Sequence, residues 1–152
     1  MRLAFLGSPS AAVPTLRALV RAGHDVALVV SGPDKRRGRG GARTPTPVKA
    51  AALELGLVVT DDLDAVAAAG VELGVVVAYG RIIPEALLMQ VPMVNLHFSL
   101  LPRWRGAAPV ERAILAGDIA TGVCVMDVDV GLDTGDVHAV GHQGDFELAY
   151  FQ

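Results

Sequence analysis

The sequence predicts an α/β domain built on an open, mostly parallel sheet with helices on both faces. Three observations carry that reading. Short apolar blocks rich in Val, Leu and Ala alternate with helix-like stretches, and Gly, Pro and Asp separate them. The blocks are continuous rather than alternating in polarity, as strands covered on both faces are. Strand, helix and strand succeed one another within the first 30 residues, and such a βαβ unit forces parallel pairing.

The elements follow in order. Residues 3–6 (Leu-Ala-Phe-Leu) form a buried strand ending at Gly7. Ser10 is placed as the N-cap of a helix that carries Val13, Leu16, Leu19 and Val20 on one face and stops at Gly23. Pro14 falls in its first turn, where a missing N–H costs little. Residues 26–30 are the second strand. Residues 48–55 are helical, 57–59 a short strand, 63–69 an Ala-rich helix, and 71–79 a strand centred on Val75-Val76-Val77. Residues 84–90 read as a helix with Pro84 at its start, 93–98 as a strand, and 110–116 as a helix stopped by Gly117. Residues 122–126 and 137–140 are late strands. The alternation as a whole is Rossmann-like.

Composition bounds the function. The 152 residues are 52% hydrophobic and 19% charged, with 13 Lys/Arg against 16 Asp/Glu and a formal net charge of −3. This much apolar content excludes a disordered tail and suffices for one self-supporting core. The single cysteine, Cys124, excludes an internal disulfide and a Cys-rich zinc module. No apolar run reaches the roughly 18 residues of a membrane span, and no signal-peptide core follows Met1-Arg2. The expected location is cytoplasmic, without a membrane partner.

Two segments depart from the apolar pattern. Residues 33–47 hold Lys35, Arg36, Arg37, Arg39 and Arg43 among glycines and prolines, without hydrophobic periodicity, and read as a mobile basic loop. Residues 127–136 hold Asp127, Asp129, Asp133 and Asp136. A calcium loop begun at Asp127 would need Gly sixth and Glu twelfth, where Leu132 and His138 stand, so calcium is excluded on spacing. A solvated acidic turn and a catalytic carboxylate both remain open there. After the first strand, Gly7-Ser8-Pro9-Ser10 lacks the G-x-G-x-x-G spacing, which argues against a dinucleotide, and no Walker sequence is present.

Asn95 and His97 project from one face at the carboxyl end of a strand, where ligands bind in open parallel sheets. Burying two polar groups there is costly without partners, which favours function over a core histidine. Beyond them Trp104 stands between Arg103 and Arg105, either packed on the body with its arginines in water or facing substrate as a stacking, anion-binding wall.

The pattern Asn95-x-His97-x-Ser99-Leu100-Leu101-Pro102, then Arg105-Gly106, then Leu132-Asp133-x-Gly135 resembles the folate-dependent formyltransferases. The longer run from Asn95 to Pro109, with Pro33-Asp34, Gly38-Arg39-Gly40 and Pro47-Val48-Lys49, is similar to those members that act on methionyl-tRNA. The resemblance runs from Met1 to about Val140. It implies the formyltransferase fold, and transfer of a formyl group from 10-formyltetrahydrofolate to the α-amino group of initiator methionyl-tRNA. By that resemblance Asn95, His97 and Asp133 are the catalytic set, and Ser99, Leu100, Leu101 and Pro102 contribute to the folate site. Arg81, Ile82 and Ile83 line the pterin pocket, and Arg39 matches a tRNA-contacting insertion. With Lys35, Arg36, Arg37 and Arg43 it offers five cations to acceptor-stem phosphates. In the chemistry, Asn95 and His97 stabilise the charge that develops on the formyl oxygen, and Asp133 relays protons with His97 through a bound water. No metal and no obligate protein partner is called for.

Three departures from the family pattern are visible. Phe98 replaces a common glycine, with its side chain expected to point away from Asn95 and His97. The β-barrel domain of tRNA-acting members is absent, so residues 1–140 read as an incomplete catalytic domain, truncated at its C-terminal edge. Residues 141–152 show no resemblance and end in the E-x-x-Y-x-Q pattern of a viral protease site, as an artificially appended tail would. A sugar amine or other small amine is the alternative acceptor, and an inactive folate- or RNA-binding fragment the alternative class.

Overall fold

The computed structural model describes residues 1–36, 41 and 43–142. Two compact units divide the chain, Met1–Pro92 and Met93–Gln152.

In the first unit β1 (Arg2–Gly7) lies between β2 (Asp25–Val30) and β6 (Leu73–Val77), with β5 (Val59–Thr60) outside β2, and every one of these pairings is parallel. The predicted βαβ unit is therefore present. Phe5, Leu6, Val29, Val30 and Val77 are fully buried, as expected of continuous apolar strands. Gly7 is required by packing, since a Cβ there would lie 2.7 Å from the Val77 carbonyl oxygen.

Helix α1 (Val13–Arg21) buries Leu16 and carries its proline in the first turn. It does not start at Ser10. A 3-10 turn spans Ser10–Ala12, Ala12 is the N-cap, and no side chain caps the helix. The helix that does have a side-chain cap is α2 (Pro47–Glu54), whose Thr46 hydroxyl accepts from the Lys49 N–H at 3.1 Å. Helices α3 (Ala65–Ala68) and α4 (Glu85–Leu88) are shorter than their sequence patterns suggest.

The basic segment is not wholly irregular. Lys35–Arg36 (β3) and Arg43–Thr44 (β4) pair antiparallel, setting Lys35 opposite Thr44 and Arg36 opposite Arg43. Arg37 and Arg39 lie outside the described residues.

The second unit pairs β7 (Met93–His97) with β8 (Gly122–Asp127), and β8 with β9 (Val137–His142), both antiparallel. Helix α5 (Pro109–Leu115) fills the connection between β7 and β8. Met93, Cys124 and Met126 are buried between the elements. Strand β9 runs through Gly141 and His142, two residues past the expected end at 140. The rest of the expected tail, 143–152, lies outside the described residues. Among the described residues no helix is long and apolar enough to cross a membrane.

Candidate active site

Strand β7 delivers Asn95 and His97 to its C-terminal end at the period-two spacing that puts both on one face. Across from them, the β8–β9 connection folds back and brings Asp133 to both. Asn95 Nδ2 is 3.4 Å from Asp133 Oδ1, and His97 Nδ1 is 3.5 Å from Asp133 Oδ2. The His97 and Asp133 side chains are only 6% and 14% exposed, so this is a largely desolvated polar group.

Local chain chemistry explains how Asp133 reaches this place. Asp129 accepts from the Gly131 N–H at 2.8 Å and the Thr134 hydroxyl at 2.9 Å, folding the connection on itself. The Asp127 N–H donates to the Asp136 carbonyl at 2.9 Å and closes the base of the loop. Gly135 crosses so close to Asp127 that a Cβ would lie 2.1 Å from its carbonyl oxygen. Asp133 itself takes φ +50, a left-handed conformation that Asp tolerates better than most residues. The aspartates thus divide their duties. Asp129 builds the turn, Asp127 pairs with His138 at 2.8 Å, and Asp133 faces the site. Among the described residues no cluster of His, Cys, Asp or Glu is arranged to hold a metal ion.

A second loop completes the group. After β7 the Ser99 hydroxyl, fully buried, donates to the Arg103 carbonyl at 2.6 Å, and the Arg103 N–H donates to the Leu100 carbonyl. Trp104, at φ +62, then turns its carbonyl oxygen to within 2.8 Å of His97 Nε2. A carbonyl only accepts, so Nε2 carries the hydrogen and Nδ1 is left facing Asp133. Gly106 follows at φ +86 and donates its N–H to Asp133 Oδ2 at 2.7 Å. Asp133 is therefore gripped by a backbone donor from one loop and addressed by two side chains from β7.

Trp104 is held in turn. Its indole N–H donates to Asp118 Oδ2 at 2.6 Å, and Arg103 clamps the same carboxylate with Nε at 2.8 Å and Nη2 at 2.6 Å. The Arg103 and Arg112 guanidinium carbons lie 4.3 Å and 5.0 Å from the indole centroid. Hydrogen bonds from Arg103 and then Trp104 pull the Asp118 carboxyl down to about 2. This is the packed reading of Trp104 rather than the open wall.

The remaining expected residues are placed as follows. Leu100 lines a cavity of about 200 Å³ with Arg103, Trp104 and Asp118, while Leu101 is half-buried and Pro102 exposed. In the first unit Arg81 donates to the Asp61 carbonyl at 3.1 Å and the Tyr79 hydroxyl at 3.2 Å. Burial raises the Tyr79 hydroxyl above its ordinary range while Arg81 opposes the shift. Ile82 is 92% exposed and Ile83 half-buried. Lys35, Arg36 and Arg43 are exposed. Sequence reasoning missed Asp118 and the roles of the Trp104 carbonyl and the Gly106 N–H. Gly106 takes φ +86, a requirement for glycine that the bare sequence does not display.

A family model described as formyl transferase matches residues 1–142. A methionyl-tRNA formyltransferase of Ruegeria pomeroyi is 51% identical over 148 residues, covering 90% of this chain and 49% of the relative. This chain thus spans about half the length of the curated relatives it matches. Among solved structures, phosphoribosylglycinamide formyltransferase from Bacillus halodurans superposes with a TM-score of 0.75 at 23% identity, covering 94% of this chain and 79% of the other. Glycinamide ribonucleotide transformylase 1 from Geobacillus kaustophilus gives a TM-score of 0.72 at 26% identity, covering 93% and 81%. The fold is shared with these enzymes.

Proposed function

This chain belongs to the formyl transferase family, and on that premise we propose that it moves a formyl group from 10-formyltetrahydrofolate to the α-amino group of methionyl-initiator tRNA. The observation that carries the reading is the Asn95–His97–Asp133 group, buried at a strand end and anchored by the Gly106 N–H. The relatives at 51% identity, named for methionyl-tRNA, support the choice of acceptor.

The residue types suit the chemistry. A neutral amine attacks the formyl carbon and negative charge gathers on the formyl oxygen. Asn95 spends one amide hydrogen on Asp133 and presents the other to that oxygen. His97, with Nε2 bound to the Trp104 carbonyl, offers its Nδ1 edge beside Asp133. The Asn95 donor contributes about 3–4 kcal/mol to lowering the barrier, while Nδ1 of His97, with the hydrogen held on Nε2, serves as a proton acceptor rather than as the second donor the sequence suggested. The attacking nitrogen loses a proton as the folate nitrogen gains one. Asp133, whose carboxylate lies 3.5 Å from His97 Nδ1, relays it with His97 through a bound water at the mouth of the pair. Ser99, Leu100, Leu101 and Pro102, and separately Arg81, Ile82 and Ile83, are assigned to the folate.

The tRNA assignment has its own support. Arg36 sits directly across from Arg43 on a two-residue ribbon. Like charges in that position repel, and an anion between them removes the penalty. Backbone phosphates supply that anion, with Lys35 beside them and Arg37 and Arg39 in the same segment. No metal enters the scheme, and the setting is the cytoplasm.

The test supplies the 152-residue chain with 10-formyltetrahydrofolate and, separately, charged initiator tRNA, free methionine and an amino sugar. Formylation of the tRNA far above the small amines is expected. Preference for a small amine would overturn the acceptor, and folate binding without transfer to any amine would overturn the enzyme reading.

A further inference from the structure

Asp118 has no part in the reaction as assigned, yet the structure spends three short hydrogen bonds on it. It follows the turn that ends α5, where its own N–H donates to the Ala113 carbonyl at 3.0 Å. Its side chain is 14% exposed and receives the Trp104 indole N–H together with two donors of Arg103. What this clamp holds is costly by itself. A residue as bulky as Trp pays about 1–2 kcal/mol in the left-handed region, and such a conformation persists only where surrounding contacts over-determine it. Here they do, with the indole N–H fixed by Asp118 and the ring flanked by Arg103 and Arg112. The strained turn delivers the Trp104 carbonyl to the reacting group, 2.8 Å from His97 Nε2.

We propose that Asp118 is a positioning residue for His97: through Trp104 and Arg103 it holds the left-handed turn whose carbonyl fixes the hydrogen on Nε2 and leaves Nδ1 to Asp133. The ring is thereby set in one tautomer and one orientation by a residue 21 positions away in the chain. Asp118 remains a carboxylate throughout the neutral range, because its two partners hold it charged. The proposal rests on the formyl-transfer reading for its kinetic consequences only. Its structural content concerns His97 itself.

The experiment uses the full chain with ¹⁵N-labelled histidine. His97 is one of four histidines, and its resonances are identified by their loss in His97→Gln. Two variants probe the clamp. Asp118→Asn keeps the size and one acceptor but ends the two-point grip on Arg103. Trp104→Phe keeps a ring between the guanidiniums and removes the N–H. The parent is expected to show a hydrogen-bonded, slowly exchanging Nε2–H. In either variant its exchange quickens by about tenfold or more, the loss of one hydrogen bond's worth of protection. In the formylation assay kcat falls by about tenfold, while KM for both substrates holds to within about twofold. Lower thermal stability with an unchanged His97 spectrum in a folded variant would assign Asp118 to structure alone and overturn the proposal. Should one variant fail to fold, the other decides. Should the parent transfer no formyl group, the formyl-transfer reading fails, and the spectra still support or overturn the role of Asp118.

Discussion

Gly106→Ala separates what holds the fold from what holds the site. Gly106 has φ +86, where an L side chain pays about 1–2 kcal/mol relative to glycine. The new Cβ would also lie 3.2 Å from Leu132 Cδ2, but Leu132 is 71% exposed and can swing into solvent. The stability loss is therefore about 1–2 kcal/mol, or about 2–8 °C in Tm for a chain of this size. The site suffers more. The chain relieves the strain by turning the 105–106 peptide, and that peptide carries the N–H that grips Asp133 Oδ2 at 2.7 Å. A hydrogen bond to a charged group is worth roughly 1.5–3 kcal/mol, which converts to about a tenfold to hundredfold loss of turnover. Differential scanning fluorimetry and single-turnover formylation, run on the same preparation, read the two effects. Leu132→Ala serves as the control and leaves both nearly unchanged. A Gly106→Ala protein that loses a few degrees of Tm but keeps parental turnover would show that the Gly106 grip does not set Asp133.

Further expectations follow from the same geometry. Gly135→Ala places a Cβ 2.1 Å from the Asp127 backbone oxygen, whose peptide is tied down by the hydrogen bond from the Val128 N–H to the Met93 carbonyl at 2.9 Å. It costs about 3 kcal/mol or more, and a larger fall in Tm than for Gly106→Ala checks this. The Asp118 carboxyl is depressed from 3.8 to about 2, so its contribution to stability is complete above 3.8 and disappears as pH falls through about 2. Asp118→Asn should thus be less stable than the parent in chemical denaturation at pH 6, with the gap closing between pH 4 and pH 2. Replacing Lys35, Arg36 and Arg43 together by alanine should weaken tRNA binding and flatten its log–log salt dependence by up to about 3 units of slope, seen in filter binding across a salt series. An unchanged slope would remove these cations from the RNA contact.

Much of the fold was legible because its signals are local. The blocks at 3–6, 26–30 and 75–77 are apolar throughout, short and rich in Val and Leu, as strands buried on both faces are. The exceptions have physical causes. Ser10 matches a capping residue in type, but the chain spends it in a 3-10 turn, and Thr46 has the better geometry at the start of α2. The β3–β4 ribbon carries no apolar periodicity, so nothing in the sequence marks its pairing. Antiparallel pairing in the second unit is set by how the connections at 98–121 and 128–136 fold, not by the strands' own residues.

At the candidate site, strand spacing set Asn95 and His97 on one face and only resemblance added Asp133; in the structure the three side chains lie together. The supports were not legible. Asp118 looks like any acidic residue after a helix-ending glycine, and its partnership with Arg103 and Trp104 exists only after α5 has folded between them. The Trp104 carbonyl and Gly106 N–H are main-chain groups, which every residue possesses and no motif announces.

The central claim is that the carboxylate of Asp133, held between Gly106 and His97, runs the proton traffic of formyl transfer. Asp133→Asn tests it most directly, since the amide keeps the shape and an acceptor for the Gly106 N–H while losing the charge. Single-turnover formylation of methionyl-tRNA should fall by about a hundredfold to ten-thousandfold, with the fold intact by circular dichroism. Turnover within a few-fold of the parent would contradict the claim.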